Sequence, residues 1–154
     1  MTLTNRIATA KVEMLIRKPV EEVFKAFINP SITTKFWFTR SSGNLEVGKR
    51  ILWDWEMYVV SAELDVLEVE QNKRILIKFD DDTTAEWIFT PRAEGTFVSI
   101  MNTGYKGSSD EIVQQVIDST GGYTIVLCGL KALLEYNVIL NLVADKFPDA
   151  NVNS

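Results

Sequence analysis

The sequence predicts an α+β fold in which a curved antiparallel sheet clasps a long C-terminal helix. Three observations carry this. Five stretches between residues 51 and 103 read as strands and are separated by short turn-forming clusters. Two short helical patterns follow the first strand. A third helical pattern, at residues 120–137, is apolar on nearly every side, so more than one neighbour must cover it.

The elements follow in order. Ala8, Ala10, Val12, Met14 and Ile16 alternate with Thr9, Lys11, Glu13 and Arg17, which describes a strand with one buried face. Lys18-Pro19 ends it, and proline suits the first turn of a helix. Val20, Val23, Phe24 and Phe27 then mark one helical face. Asn29-Pro30 stops this helix. Ser31 is expected to cap a second short helix that leads into Phe36-Trp37-Phe38. Strands are expected at 51–60, 61–70, 74–79, 83–90 and 96–103. The clusters Gly43-Asn44, Gln71-Asn72, Asp80-Asp81-Asp82 and Glu94-Gly95 punctuate them. Connections this short make neighbouring strands antiparallel, and a meander this wide curves.

Ser108 and Glu111, three apart, form a capping-box pattern before a short apolar stripe of Ile112, Val113, Val116 and Ile117. Gly121-Gly122 is expected to interrupt it before the main helix. There Tyr123, Val126, Leu127, Leu130 and Leu134 form one stripe, and Ile125, Cys128, Ala132 and Leu133 fill most of the rest. Residues 138–154 carry Ile139, Leu140, Leu142, Val143 and Phe147, and are expected to fold back on the body or to form a dimer contact. One domain is expected over 1–154, with its core at about 8–137 and a C-terminal extension at 138–154.

Composition narrows the chemistry. The 154 residues include no histidine and carry a formal charge of −5. A Ser-His-Asp device or a catalytic zinc site with histidine ligands cannot be built from them. The 16 Lys and Arg are scattered, which argues against a nucleic-acid partner. No apolar run is long enough to span a bilayer and residues 1–6 lack the pattern of a signal peptide. With a single cysteine, Cys128, the simple reading is a cytoplasmic protein. No cofactor or metal is expected. Asp80-Asp81-Asp82 lacks the ligand spacing of a calcium loop and reads as a solvated hairpin turn.

The residue pattern also resembles a known family. Lys18-Pro19-Val20-Glu21-Glu22-Val23-Phe24-Lys25-Ala26-Phe27, then Asn29-Pro30 and Phe36-Trp37-Phe38, resembles the opening of the START-like (SRPBCC) superfamily. Within it the chain is similar to the heat shock protein 90 ATPase activator-like family. Gly95-Thr96 and the run Gly121-Gly122-Tyr123-Thr124 leading to Gly129-Leu130-Lys131-Ala132-Leu133-Leu134-Glu135 fit as well. The family often has Trp at the position of Tyr123. The resemblance covers roughly residues 8–149. It implies a helix-grip fold, and a small apolar ligand held between sheet and last helix. Some members of the superfamily are cyclases or aromatic-ring enzymes, and the family name implies a chaperone partner.

On this basis Trp37, Trp53, Trp55, Phe79, Trp87, Phe89, Met101, Thr124, Leu127 and Cys128 are the expected ligand-binding residues, with core packing as the other role open to each. Trp53 and Trp55 share a sheet face with Ile51 and Met57. Asp54 and Glu56 take the opposite face: solvated if the tryptophans point inward, candidate acid and base beside Glu86 if they point out. The segment between Gly104 and Gly122 is either a lid or a set of turns. Gly129 marks a close neighbour or space for a ligand. The leading function is binding of a small apolar molecule without chemistry. A co-chaperone-like or other protein-binding module is the second reading. A cyclase or isomerase using carboxylates, with Tyr58 or Tyr105, is the third. Monomer and homodimer both stay open.

Overall fold

The computed structural model describes residues 8–149. Strand β1 (Thr9–Ile16) buries Ala10, Val12 and Ile16 on one face. Helix α1 (Val20–Ile28) buries Val23, Phe24, Ala26 and Phe27, and holds Glu21 and Glu22 in its first turn, where the helix dipole favours them. Helix α2 (Pro30–Thr33) is capped by Asn29 and not by the expected Ser31. The Asn29 side chain accepts from the Ser31 N–H at 3.0 Å, and Pro30 takes the first helical position. The buried Thr33 hydroxyl donates to the Ala26 carbonyl and ties α2 back to α1.

Among the described residues seven strands form one antiparallel sheet in the order β1-β7-β6-β5-β4-β3-β2. The remaining strands are β2 (Arg40–Ser41), β3 (Arg50–Trp55), β4 (Val60–Glu70), β5 (Arg74–Phe79), β6 (Thr84–Arg92) and β7 (Gly95–Thr103). Register aligns Val12, Ile100, Trp87 and Ile75 in one row across four strands, and that row faces the helices. The next row, Lys11, Met101, Glu86 and Leu76, therefore lies on the outer face.

The expected strand at 51–60 stops at Trp55. Residues Glu56–Tyr58 form a 3₁₀ turn, and Val59 then takes a left-handed conformation (φ 53°) that turns the chain into β4. Met57 thus leaves the sheet face on which it was expected beside the tryptophans.

Helix α3 (Ser109–Tyr136) is continuous for 28 residues, about 42 Å. The Ser108–Glu111 capping box opens it, as the sequence indicates. The expected break at Gly121-Gly122 is absent. Helix propensity is a local cost of about 1 kcal/mol per glycine, and packing along β1 and under the tail offsets it. Gly104 and Gly107 (φ 93° and 122°) make turns before the helix, so the segment from Gly104 to Gly122 consists of two turns and the first half of α3. Gly129 resolves as a close approach: a Cβ there would lie 3.2 Å from that of Phe36.

Beyond Asn137 the chain folds back. Helix α4 (Leu142–Lys146) lies against α3, and Val143 packs on the core. The last five residues of the expected extension lie outside the described residues.

Candidate ligand cavity

Trp37 is the hub of the core. It follows α2, and its ring lies 4.9 Å from Trp53, 5.9 Å from Trp87 and 5.8 Å from Tyr123. Phe38 stacks on Trp53 at 4.6 Å and 16°, filling the space beneath β3. This packing stops where the strands stop. Trp55 ends β3 and Phe79 ends β5, so neither is covered from above, and both stay half-buried.

The uncovered space is a cavity of about 430 Å³ between this end of the sheet, α3 and α4. Trp37, Trp55, Phe79 and Tyr123 contribute ring surface. Gly122, Ile125 and Val126 roof it from α3. Among the described residues no atom outside the adjoining turns of α3 lies within 4 Å of the place a Cβ would take at Gly122, so that missing side chain is part of the volume. Val143, Lys146 and Phe147 close the side nearest α4. The hydroxyl of Tyr58 donates to the Val143 carbonyl and holds α4 in place.

Polar groups near the cavity are mostly committed. Ser119 lines it, and its hydroxyl donates to Asn102 Oδ1 at 3.0 Å; Tyr105 donates to the same oxygen at 2.9 Å. The Asn102 amide in turn donates to the Thr84 carbonyl at 2.7 Å, which satisfies this buried side chain. Burial, with smaller contributions from Tyr105 and Asp81, pushes the Tyr123 phenol well above its ordinary value, so it stays neutral. Asp118 and Lys146 sit at the exposed margin, with Asp118 accepting from Gln114 Nε2 at 2.9 Å.

The carboxylates considered as acid and base face away. Asp54 lies on the outer face, bonded to the Ser61 hydroxyl and to Arg40 at 3.0 Å; both hold its pKa below the ordinary value, the serine bond most. Glu86 pairs with Arg74 on that face, and Glu56 is exposed in the 3₁₀ turn. In the Asp80-Asp81-Asp82 turn, Asp81 accepts from Thr83, and Asp80 pairs with Arg50. Among the described residues no cluster of three acidic or thiol groups is placed to hold a metal ion.

The cavity gathers three of the ten expected ligand residues: Trp37, Trp55 and Phe79. Trp53, Trp87 and Leu127 are sealed in the core, and Phe89 packs on Phe24 at 5.3 Å. Thr124 is exposed and donates to the Thr120 carbonyl at 2.6 Å; Cys128 is half-buried on α3, outside the cavity wall. Met101 requires a correction, because its register turns it to the outer face. Sequence reasoning missed Tyr58, Gly122, Tyr123 and Val126 as wall residues, together with Val143, Lys146 and Phe147 of the tail. Residues 119, 122, 123 and 126 follow the i, i+3, i+4, i+7 spacing of one helical face, a signal legible only once α3 runs unbroken through the glycines.

Comparison with known proteins agrees with this architecture. The family model described as "Activator of Hsp90 ATPase homolog 1-like protein" matches residues 17–135. Protein SSP2350 from Staphylococcus saprophyticus is 28% identical, with a TM-score of 0.77 over 86% of this chain and 96% of that one. The Aha1 dimer from Colwellia psychrerythraea has the same fold at 17% identity (TM-score 0.74, 84% and 97% covered). So does DynU16, from the dynemicin biosynthetic locus, at 19% identity (TM-score 0.75), with 85% of this chain and 48% of that one covered. No curated protein matches the chain in sequence. With an α+β sheet clasping its last long helix and a family match across most of its length, the chain belongs to the Activator of Hsp90 ATPase homolog 1-like family of the START-like superfamily.

Proposed function

We propose that the protein binds a small apolar molecule in the cavity roofed by α3 and closed by α4. The observation that carries this reading is the open space under Gly122, walled by aromatic and aliphatic side chains at the end of the core. Its volume, about 430 Å³, lies within the range of small-molecule sites, about 300–1,000 Å³. Outward-facing Asp54 and Glu86 give no support to carboxylate chemistry inside it.

The test is a titration with decanol followed by tryptophan emission, since Trp37 and Trp55 form part of the wall. Binding changes their emission, and raises stability by about 2.7 kcal/mol at a hundredfold excess over Kd. Gly122→Leu takes up part of the space, weakens both responses, and leaves the melting temperature equal or higher. An unresponsive native protein, or a Gly122→Leu variant that responds as the parent does, would count against the cavity as a site.

The second reading is a protein-binding module. It draws on the exposed apolar run Val138, Ile139 and Leu140, beside Tyr136, and on the family name. A protein-binding role alone gives no response to the apolar probe.

A further inference from the structure

The cavity wall is apolar except at its margin, and there the charges are unequal in their attachments. Lys146, in the last turn of α4, is the cation of the wall among the described residues. Its Nζ sits over α3, 2.9 Å from the place a Cβ would take at Gly121. Any side chain at 121 would displace it, so the small residue provides the seat. Among the described residues no carboxylate lies within 4 Å of this ammonium, and the contact it makes is with the ring of Phe147, 5.6 Å from the centroid. Lys131, Lys106 and Arg74 pair with Glu135, Asp82 and Glu86, whereas Lys146, like the surface residues Lys25, Lys35 and Lys73, is in no ion pair among the described residues; its place in the wall of the apolar cavity sets it apart from them. Asp118, three residues before Gly121 on the same helix face, shares the margin, but its carboxylate engages Gln114.

We infer that the ligand is a single-chain amphiphile with a carboxylate head, its chain in the cavity and its head on the Lys146 ammonium at the mouth. This rests on the cavity being a ligand site and adds the chemical class of the occupant. An unmatched cation beside apolar surface gains from an anion whose own chain fills that surface, because the pair forms at the water boundary where neither charge is fully desolvated. One lysine suits a monoanion. A phosphate dianion would call for an arginine fork or converging backbone N–H groups, and α4 presents its C-terminal end here. Asp118 sharpens the selection: it repels the head unless the head seats on Lys146.

The experiment compares decanoate, decanol and decyltrimethylammonium, each below its micellar concentration, by tryptophan emission at pH 7.5. The expected result is that decanoate binds about tenfold more tightly than decanol, about 1.4 kcal/mol, and that decyltrimethylammonium binds weakest. Lys146→Met, which keeps the apolar stem, brings the decanoate-to-decanol ratio to about one; Asp118→Asn widens it. Both positions are exposed, and a thermal melt of each variant confirms that it folds. A parent ratio near one, or a tenfold ratio that survives Lys146→Met, overturns the head-group assignment while decanol binding leaves the cavity standing. If none of the three probes binds, both readings fall.

Discussion

Gly95 shows how one atom decides a packing arrangement. The start of β7 passes so close to the end of β1 that a Cβ at residue 95 would stand 2.2 Å from the Ile16 carbonyl oxygen and 2.7 Å from Arg17 Cα. Its φ of 152° is a second obstacle to any other residue. Thr96 then secures the crossing, with its hydroxyl donating to the Lys18 carbonyl at 2.9 Å. Both obstacles are backbone, so no side-chain rotation relieves them. Gly95→Ala is expected to destabilise the protein by on the order of 3 kcal/mol. A denaturant melt of the variant within 1 kcal/mol of the parent would refute this account. Gly122 is the counterexample, a glycine whose missing side chain would meet no other element among the described residues.

At the scale of elements, α4 is the weakest part of the cavity. Five residues do not hold a helix in water, so its position depends on what it touches. Val143 supplies an apolar contact and the Tyr58 hydroxyl a hydrogen bond to the backbone. Tyr58→Phe removes only the latter. Hydrogen exchange at the amides of residues 142–147 is expected to rise about tenfold, with the global melt little changed; unaltered protection would show that the hydroxyl does not hold the helix. The elements differ in how far they were legible. β5 was readable residue for residue, because turn clusters bound it and the short apolar run Ile75-Leu76-Ile77 lies between them. The corner at Glu56–Tyr58 was not, since Met57, Tyr58 and Val59 continue an apolar run and only the left-handed Val59 ends it. Periodicity placed Trp53 and Trp55 on one face correctly but gave no depth along the strand. One lies under Phe38 and the other at the rim because β3 ends between them and the turn. The break expected at Gly121-Gly122 came from local propensity, whereas tertiary packing keeps α3 whole. The cavity residues of α3 went unread for that reason.

For the whole molecule, the joint between sheet and helix is electrostatic at one end. Glu135 near the end of α3 accepts from the Arg17 N–H at 2.8 Å and from Lys131 at 2.6 Å; Lys131 also donates to the Leu15 carbonyl at 2.8 Å. Backbone groups at the C-terminal end of edge strand β1 are thereby satisfied by helix side chains. The Glu135 side chain is only 7% exposed. Burial pushes its pKa up, but the Arg17 N–H and Lys131 together outweigh this and hold it below the ordinary carboxylate value. A carboxylate with a depressed folded pKa stabilises the fold above its unfolded pKa, about 4.3, and ceases to do so as the pH falls through the folded value. Glu135→Gln is therefore expected to cost about 2 kcal/mol at pH 7, and the gap from the parent closes as the pH falls below about 4. A gap that stays constant down to pH 2 would show that charge plays no part. This joint lies at the opposite end of α3's buried stretch from Gly122. The residues that set how much room a guest has are not those that keep the sheet and helix together. Substitution at position 122, from nothing to a methyl to a branched chain, can retune what fits, in small steps and without endangering the scaffold. In the proposed ligand site, the choice of guest is thereby separable from the stability of the fold.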